Sequence, residues 1–258
     1  MSWAARRQFQ YIGGLLIFLA LIALIIAWPA ITKKPTCFDG KQNGGETGVD
    51  CGGACQKICN ADTSEPIILW QRAFPVTGNI YNLVAFAENR NKEGAVMQVS
   101  YEFRIYSTDN ILIGRREGKT FIPPNQQFAV FESRFDSGES EIRSVDFSFT
   151  SPFVWIKKKP IIQTIPVTID DIILKTEKGN SSLTAIINND SIYDLPAFDV
   201  IAILYGNDNN AINASKTHKE SLVSNDSSLL LFTWPQPLSD DPVTKDVIIQ
   251  INPFTTPF

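Results

Sequence analysis

The chain of 258 residues contains a single histidine, His218. Zinc enzymes that ligate through several histidines are thereby excluded. It lacks a G-x-S-x-G elbow, a phosphate-binding glycine loop and a His-rich metal motif, so the common catalytic signatures are missing. The 199 residues after Cys59 contain no cysteine, so no domain there can be held by an inter-sheet disulfide. A net charge of −4 argues against a nucleic-acid surface, which needs a basic face. With 44% apolar residues the chain is not disordered, and its length fits one large domain or two ordinary ones.

Charge is also missing locally. Residues 1–34 carry Arg6, Arg7, Lys33 and Lys34 and no acid, leaving 19 basic and 27 acidic residues for the body. From Tyr11 to Ile31 there are 21 uncharged residues. At about 1.5 Å per residue they span roughly 30 Å, the thickness of a hydrocarbon core. Tyr11 and Trp28 stand where interfacial rings belong. The rival is a cleaved signal peptide, which wants a shorter apolar run and small residues at its exit. Ala27-Trp28-Pro29-Ala30 does not supply them. The expectation is a short inside tail at 1–10, an uncleaved single-pass anchor at 11–31, and a bulk outside the cytoplasm.

All four cysteines, Cys37, Cys51, Cys55 and Cys59, fall within 23 residues. An even, clustered set in a Gly-rich loop reads as two disulfides in an oxidising compartment, with three pairings open. The spacing lacks the paired symmetry of a zinc site. Asp39, Asn43, Glu46 and Asp50 are hard oxygen donors, hence candidate calcium ligands. The same residues equally suit turns, where side chains bind nearby N–H groups and glycines supply positive φ. No other cofactor is expected. Cys37-Phe38-Asp39-Gly40 through Asp50-Cys51-Gly52-Gly53-Ala54-Cys55 resembles a recurrent extracellular motif, C-x-D-G-x-x-N-x-x-E-x-x-x-D-C-G-G-x-C-x-x-C. It departs at the end, where Cys55 and Cys59 are separated by three residues instead of two.

The remainder reads as two copies of one unit. Leu83–Asn89 aligns with Leu183–Asn189, and Val99–Tyr106 with Phe198–Tyr205. Each continues to an Asp-Asn turn, Asp109-Asn110 and Asp208-Asn209. Thr120–Asn125 is aligned with Ser221–Asp226, and Phe128–Phe131 with Leu229–Phe232. Val99, Tyr101, Phe103 and Ile105 alternate with polar residues, the period of a half-buried strand. Short runs broken by Asn, Asp, Gly and Pro suggest β-sandwiches. The expected fold is all-β: a Cys-rich module at 37–59, then immunoglobulin-like sandwiches at 62–156 and 160–258. Lys157-Lys158-Lys159-Pro160 is expected to be a solvated linker. Trp70, Trp155 and Trp234 are candidate core fillers or domain-edge anchors.

Tyr81–Ala85, Glu88–Asn91, Tyr101–Phe103, Ile105-Tyr106 and Gly118–Pro124 resemble a family of uncharacterised membrane-anchored proteins of candidate-phyla bacteria. The pattern is also similar to FxLYD and late-embryogenesis-abundant-like sandwiches. The resemblance implies a fold and an envelope location and supplies no functional residues.

Function is the least legible feature. His218 sits in a polar stretch without recognisable catalytic partners, and the carboxylates are scattered, so no enzyme is expected. The expected role is a non-catalytic binding or scaffold protein at the cell envelope, with an unidentified protein partner. The alternative is a component of a secretion or pilus assembly. Ile201 and Ile203 stand where the first copy has Glu102 and Arg104. An apolar row on an outward face needs cover, from the other domain or from a partner. Four Asn-x-Ser sequons, at Asn180, Asn189, Asn213 and Asn225, all lie in the second copy.

Overall fold

The structure is a computed structural model that describes residues 3–32, 34–161, 165–177 and 179–255. Residues 162–164, 178 and 256–258 of the expected second domain, and Lys33, lie outside it. Two compact units emerge, Met1–Cys55 and Gln56–Phe258.

The first unit opens with α1, Trp3–Thr32. The helix begins eight residues before Tyr11, so most of the expected tail continues it. Its 22-residue stretch Arg7–Trp28, uncharged after Arg7, is unburied and has the length and composition to cross a membrane. The cysteine module follows, built of turns. Gly40, Gly44, Gly45, Gly52 and Gly53 all have positive φ there.

Among its described residues the second unit holds thirteen strands. Strands β1 (Ile67–Thr77), β2 (Ile80–Asn89) and β5 (Gln126–Asp136) form one sheet in the order β1-β2-β5. Strands β3 (Gly94–Ser107), β4 (Leu112–Ile122) and β6 (Ile142–Phe149) form its mate, β4-β3-β6, with β7 (Trp155–Lys157) also pairing β3. All pairings are antiparallel. Leu83, Ala85 and Ala87 of β2 meet Tyr101, Phe103 and Ile105 of β3 in one buried cluster, and Trp155 joins it. Period-two alternation makes this core possible without a disulfide, because each strand sends every second side chain inward.

The same plan recurs with β8 (Val167–Glu177), β9 (Asn180–Asn189), β10 (Phe198–Tyr205), β11 (Ala211–Lys219), β12 (Asp226–Trp234) and β13 (Thr244–Ile251). Their sheets are β12-β9-β8 and β11-β10-β13. Leu183, Ala185 and Ile187 face Val200, Ala202 and Leu204, and Trp234 fills this second core. Asn89 and Asn189 end β2 and β9 in the same way. The Asn89 amide donates to the carbonyls of Gly94 and Pro123, and the Asn189 amide to those of Tyr193, Leu222 and Val223.

Two sequence expectations need correction. Lys157-Lys158 is not a linker: Lys157 ends β7, its N–H donates to the Gln56 carbonyl, and Lys158 N–H donates to that of Glu93. The backbone there completes an edge of the first sandwich. The alignment of the fourth and fifth strands also slips by one residue. Asn125 and Asn225, a hundred residues apart, both take left-handed φ, at 49° and 54°. Phe86 pairs Ala129 and Ile186 pairs Leu229, so Ala129 corresponds to Leu229. Runs such as Phe-Ala-Val-Phe and Leu-Leu-Leu-Phe have no alternation to set a register, and a slip of one residue exchanges the two faces.

Candidate functional site

The cysteine module is closed by a Cys37–Cys55 disulfide, with Cα atoms 5.7 Å apart. Cys51 and Cys59 are also disulfide-bonded, and no free cysteine remains. The oxygen donors around them serve the backbone. Asp50 accepts from the N–H of Asp39 and Gly40 at 2.9 and 3.0 Å. Glu46 accepts from Asn43 and Asp50 N–H, at 3.4 and 3.2 Å. Asp39 accepts from Lys41 N–H and from the Asn43 amide, and the amide holds its carboxyl below the ordinary carboxylate value. Among the described residues the one group of metal-ligating atoms within 4.8 Å of one another is Cys37, Glu46 and Cys55. Its two sulfurs are spent in the disulfide, so it offers no thiolate. Asp39, Asn43, Glu46 and Asp50 are turn-holding groups in this geometry.

Ile201 and Ile203 are covered from within the chain. They lie on the face of β10 opposite Val200, Ala202 and Leu204, and both are essentially inaccessible, at 1% and 0% exposure. They join Phe74, Val84, Phe86 and Ala129 of the first sandwich in a third apolar cluster. The outer face of β1-β2-β5 is thus laid on the outer face of β11-β10-β13. Trp70 flanks the contact, its ring 6.1 Å from Phe74 edge-on and 5.3 Å from Phe86. Polar pins surround the apolar centre. Arg72 donates to the Ala211 carbonyl at 2.9 Å and to Asn210 Oδ1 at 2.7 Å. Gln250 Oε1 accepts from Ala129 N–H at 3.1 Å, and Lys216 lies over the Phe131 ring. Burial raises the Tyr205 hydroxyl above its ordinary value, with nearby Asp246 adding to the shift.

In the sequence, Ile201 and Ile203 mark one half of this contact. Val84 and Phe86 of the first copy form the other half. The signal was Leu83-Val84-Ala85-Phe86-Ala87, apolar at every position, which marks a strand buried on both faces. On the far side of the first sandwich the corresponding row stays charged. Glu102 is itself buried, paired with Arg104 and 3.6 Å from Arg115.

His218 lies on β11, directly opposite Asp199 of β10. Its Nδ1 is 2.7 Å from Asp199 Oδ1, and Lys216 Nζ is 3.3 Å from the other oxygen. Its Nε2 faces Glu220 at 3.7 Å. Its partner Asp199 is nineteen residues away in the chain and is brought close only by strand register. The group borders a shallow cavity of about 370 Å³ lined by Phe121, Ala197 and Gln250. A larger groove of about 1010 Å³ follows the edges of β1 and β6. Of the sequon asparagines, Asn189 and Asn213 are buried, while Asn180 and Asn225 are exposed.

No family model matches the chain, and no curated protein does. Among solved structures it is similar to a red sea bream transglutaminase at 9% identity and a TM-score of 0.21. That alignment covers 70% of this chain and 31% of the transglutaminase.

Proposed function

We propose that this is a non-catalytic, membrane-anchored protein of the cell envelope, serving as a rigid binding or scaffold element. Residues 11–31 hold it in the membrane with the N-terminus inside and residues 35–258 outside. The carrying observation is the buried junction of Ile201, Ile203, Phe74 and Phe86. Tandem domains joined through a small polar contact move freely, whereas a large apolar one suppresses motion. A chain that binds its two sandwiches this way presents fixed surfaces at a fixed spacing. The disulfide-closed module fits an oxidising space outside the cytoplasm. The His218–Asp199 pair reads as a cross-strand contact on the junction rim, since its second nitrogen faces a carboxylate and not a nucleophile. The two sandwiches are read as a tandem duplication, on their shared strand order and the hundred-residue spacing of matching positions.

Protease added to spheroplasts tests the topology and is expected to digest the body while the inner membrane stays intact. A body protected until detergent is added would overturn it. Affinity purification from membranes tests the role: His218→Ala is expected to retain the same stoichiometric partners. Loss of a chemical activity on that substitution would move the reading to an enzyme.

A further inference from the structure

Among the described residues of the second unit, one sheet face of the second sandwich stays open where its counterpart is covered. In the first sandwich the outer face of β1-β2-β5 centres on Val84, Phe86, Ala129 and Phe131, and the second sandwich covers it. A hundred residues on, the matching face of β12-β9-β8 carries Thr184, Ile186, Leu229 and Leu231, with Ile173 beside them on β8. Leu229, Leu231 and Ile173 are 61%, 53% and 50% exposed. Around them the rim is polar, with Asp170 bonded to the Asn188 amide at 2.8 Å and Lys175 farther along β8. An apolar centre inside a polar rim is the anatomy of an interface.

We infer that this face docks a second copy of the same chain, face to face about a two-fold axis. Two observations select this occupant. The chain's other outer face, on β4-β3-β6, carries the buried Glu102 with Arg104 and Arg115. Stacking copies head to tail would press Leu229 and Leu231 onto that ion-paired row and strip its water, a desolvation that apolar contact does not repay. An isologous pairing instead lays each apolar centre on its own image. The rim also fits it. Asp170 pairs Ile186 and Lys175 pairs Ser182, on either side of Ile173. With strands antiparallel across the interface, Asp170 of one copy comes over Lys175 of the partner subunit, unlike charge on unlike charge.

The test uses the full chain in detergent micelles. Sedimentation equilibrium at micromolar concentration is expected to give a dimer, and Leu231→Glu to weaken it at least tenfold with an unchanged melt. Because the native cysteines are all bridged, Thr184→Cys adds the sole free thiol. Oxidation is expected to link Thr184→Cys chains covalently, while Ser148→Cys on the opposite outer face links far less. A monomeric wild type, equal linking at both positions, or a dimer that survives Leu231→Glu overturns the inference. If Leu231→Glu fails to fold, the two cysteine variants decide alone.

Discussion

Replacing Ile203 by glutamate puts the junction between the sandwiches under direct test. The side chain is fully buried between β10 and the first sandwich, and the basic groups around the apolar centre are engaged, Arg72 by Ala211 and Asn210 and Lys216 by Asp199. Its cross-strand neighbour is Asp246, a like charge. The new group must therefore enter protonated. Holding a carboxyl neutral at pH 7 against an ordinary value of about 4.3 costs roughly 4 kcal/mol, at about 1.4 kcal/mol per pH unit. Lost aliphatic packing adds about 1–2 kcal/mol. The sum, about 5 kcal/mol, rivals the whole stability of a small domain. Opening the junction limits the loss, so the variant is expected to melt in two steps where the wild type melts in one. Trp70, against Phe74 and Phe86, reports the opening by fluorescence in a denaturant titration of the full chain. The sign with pH follows. The folded carboxyl has a raised pKa, so the penalty is absent below about pH 4 and grows as pH rises toward that pKa. Thr108→Glu, at an exposed turn position of the first sandwich, is the control and is expected to change stability by no more than about 0.5 kcal/mol. Arg104→Glu is unsuited to that purpose, because its buried partner Glu102 would face a second carboxylate. Coincident melts for Ile203→Glu, Thr108→Glu and wild type would refute the covered junction.

Asn189→Ala is expected to cost about 3 kcal/mol in the same assay, because it strands the carbonyls of Tyr193, Leu222 and Val223. Tyr101 donates to Glu132 at 2.6 Å, and burial followed by that carboxylate raises its pKa strongly. Its stabilisation is complete below about pH 10 and lost as pH rises further, so Tyr101→Phe should flatten the alkaline melting curve. Gly118→Ala should destabilise the first sandwich by more than about 1 kcal/mol, since a Cβ there would sit 2.6 Å from Tyr101 Cζ; a thermal melt measures it. Non-reducing mass spectrometry should find no free thiol, and reduction should leave the melts of both sandwiches in place, since neither core contains a cysteine.

Much of the fold was legible because its signals are local. The uncharged run from Tyr11 to Ile31 is helical, with the length and composition to cross a membrane. Four clustered cysteines declare their own bridges, although only the folded loop pairs Cys37 with Cys55. Alternation along Val99–Ile105 fixes which residues face a core. Where alternation failed, as in Phe128–Phe131 and Leu229–Phe232, the register slipped, and the left-handed asparagines 125 and 225 correct it.

The sequence by itself determined strands, cores and the need for cover over Ile201 and Ile203, because hydrophobic pattern and side-chain period act within a few residues. It could not name what provides that cover. Phe74, Val84, Phe86 and Ala129 come from strands separated from Ile203 by more than seventy residues, and they belong to a sheet that is not the counterpart of the one containing β10. It could not join His218 to Asp199, nor show that Asp39, Glu46 and Asp50 turn toward backbone N–H groups. Those outcomes depend on which faces meet once two sheets have formed. Only the tertiary structure decides that, because burial rewards any apolar face that fits and a linear pattern carries no address for its partner.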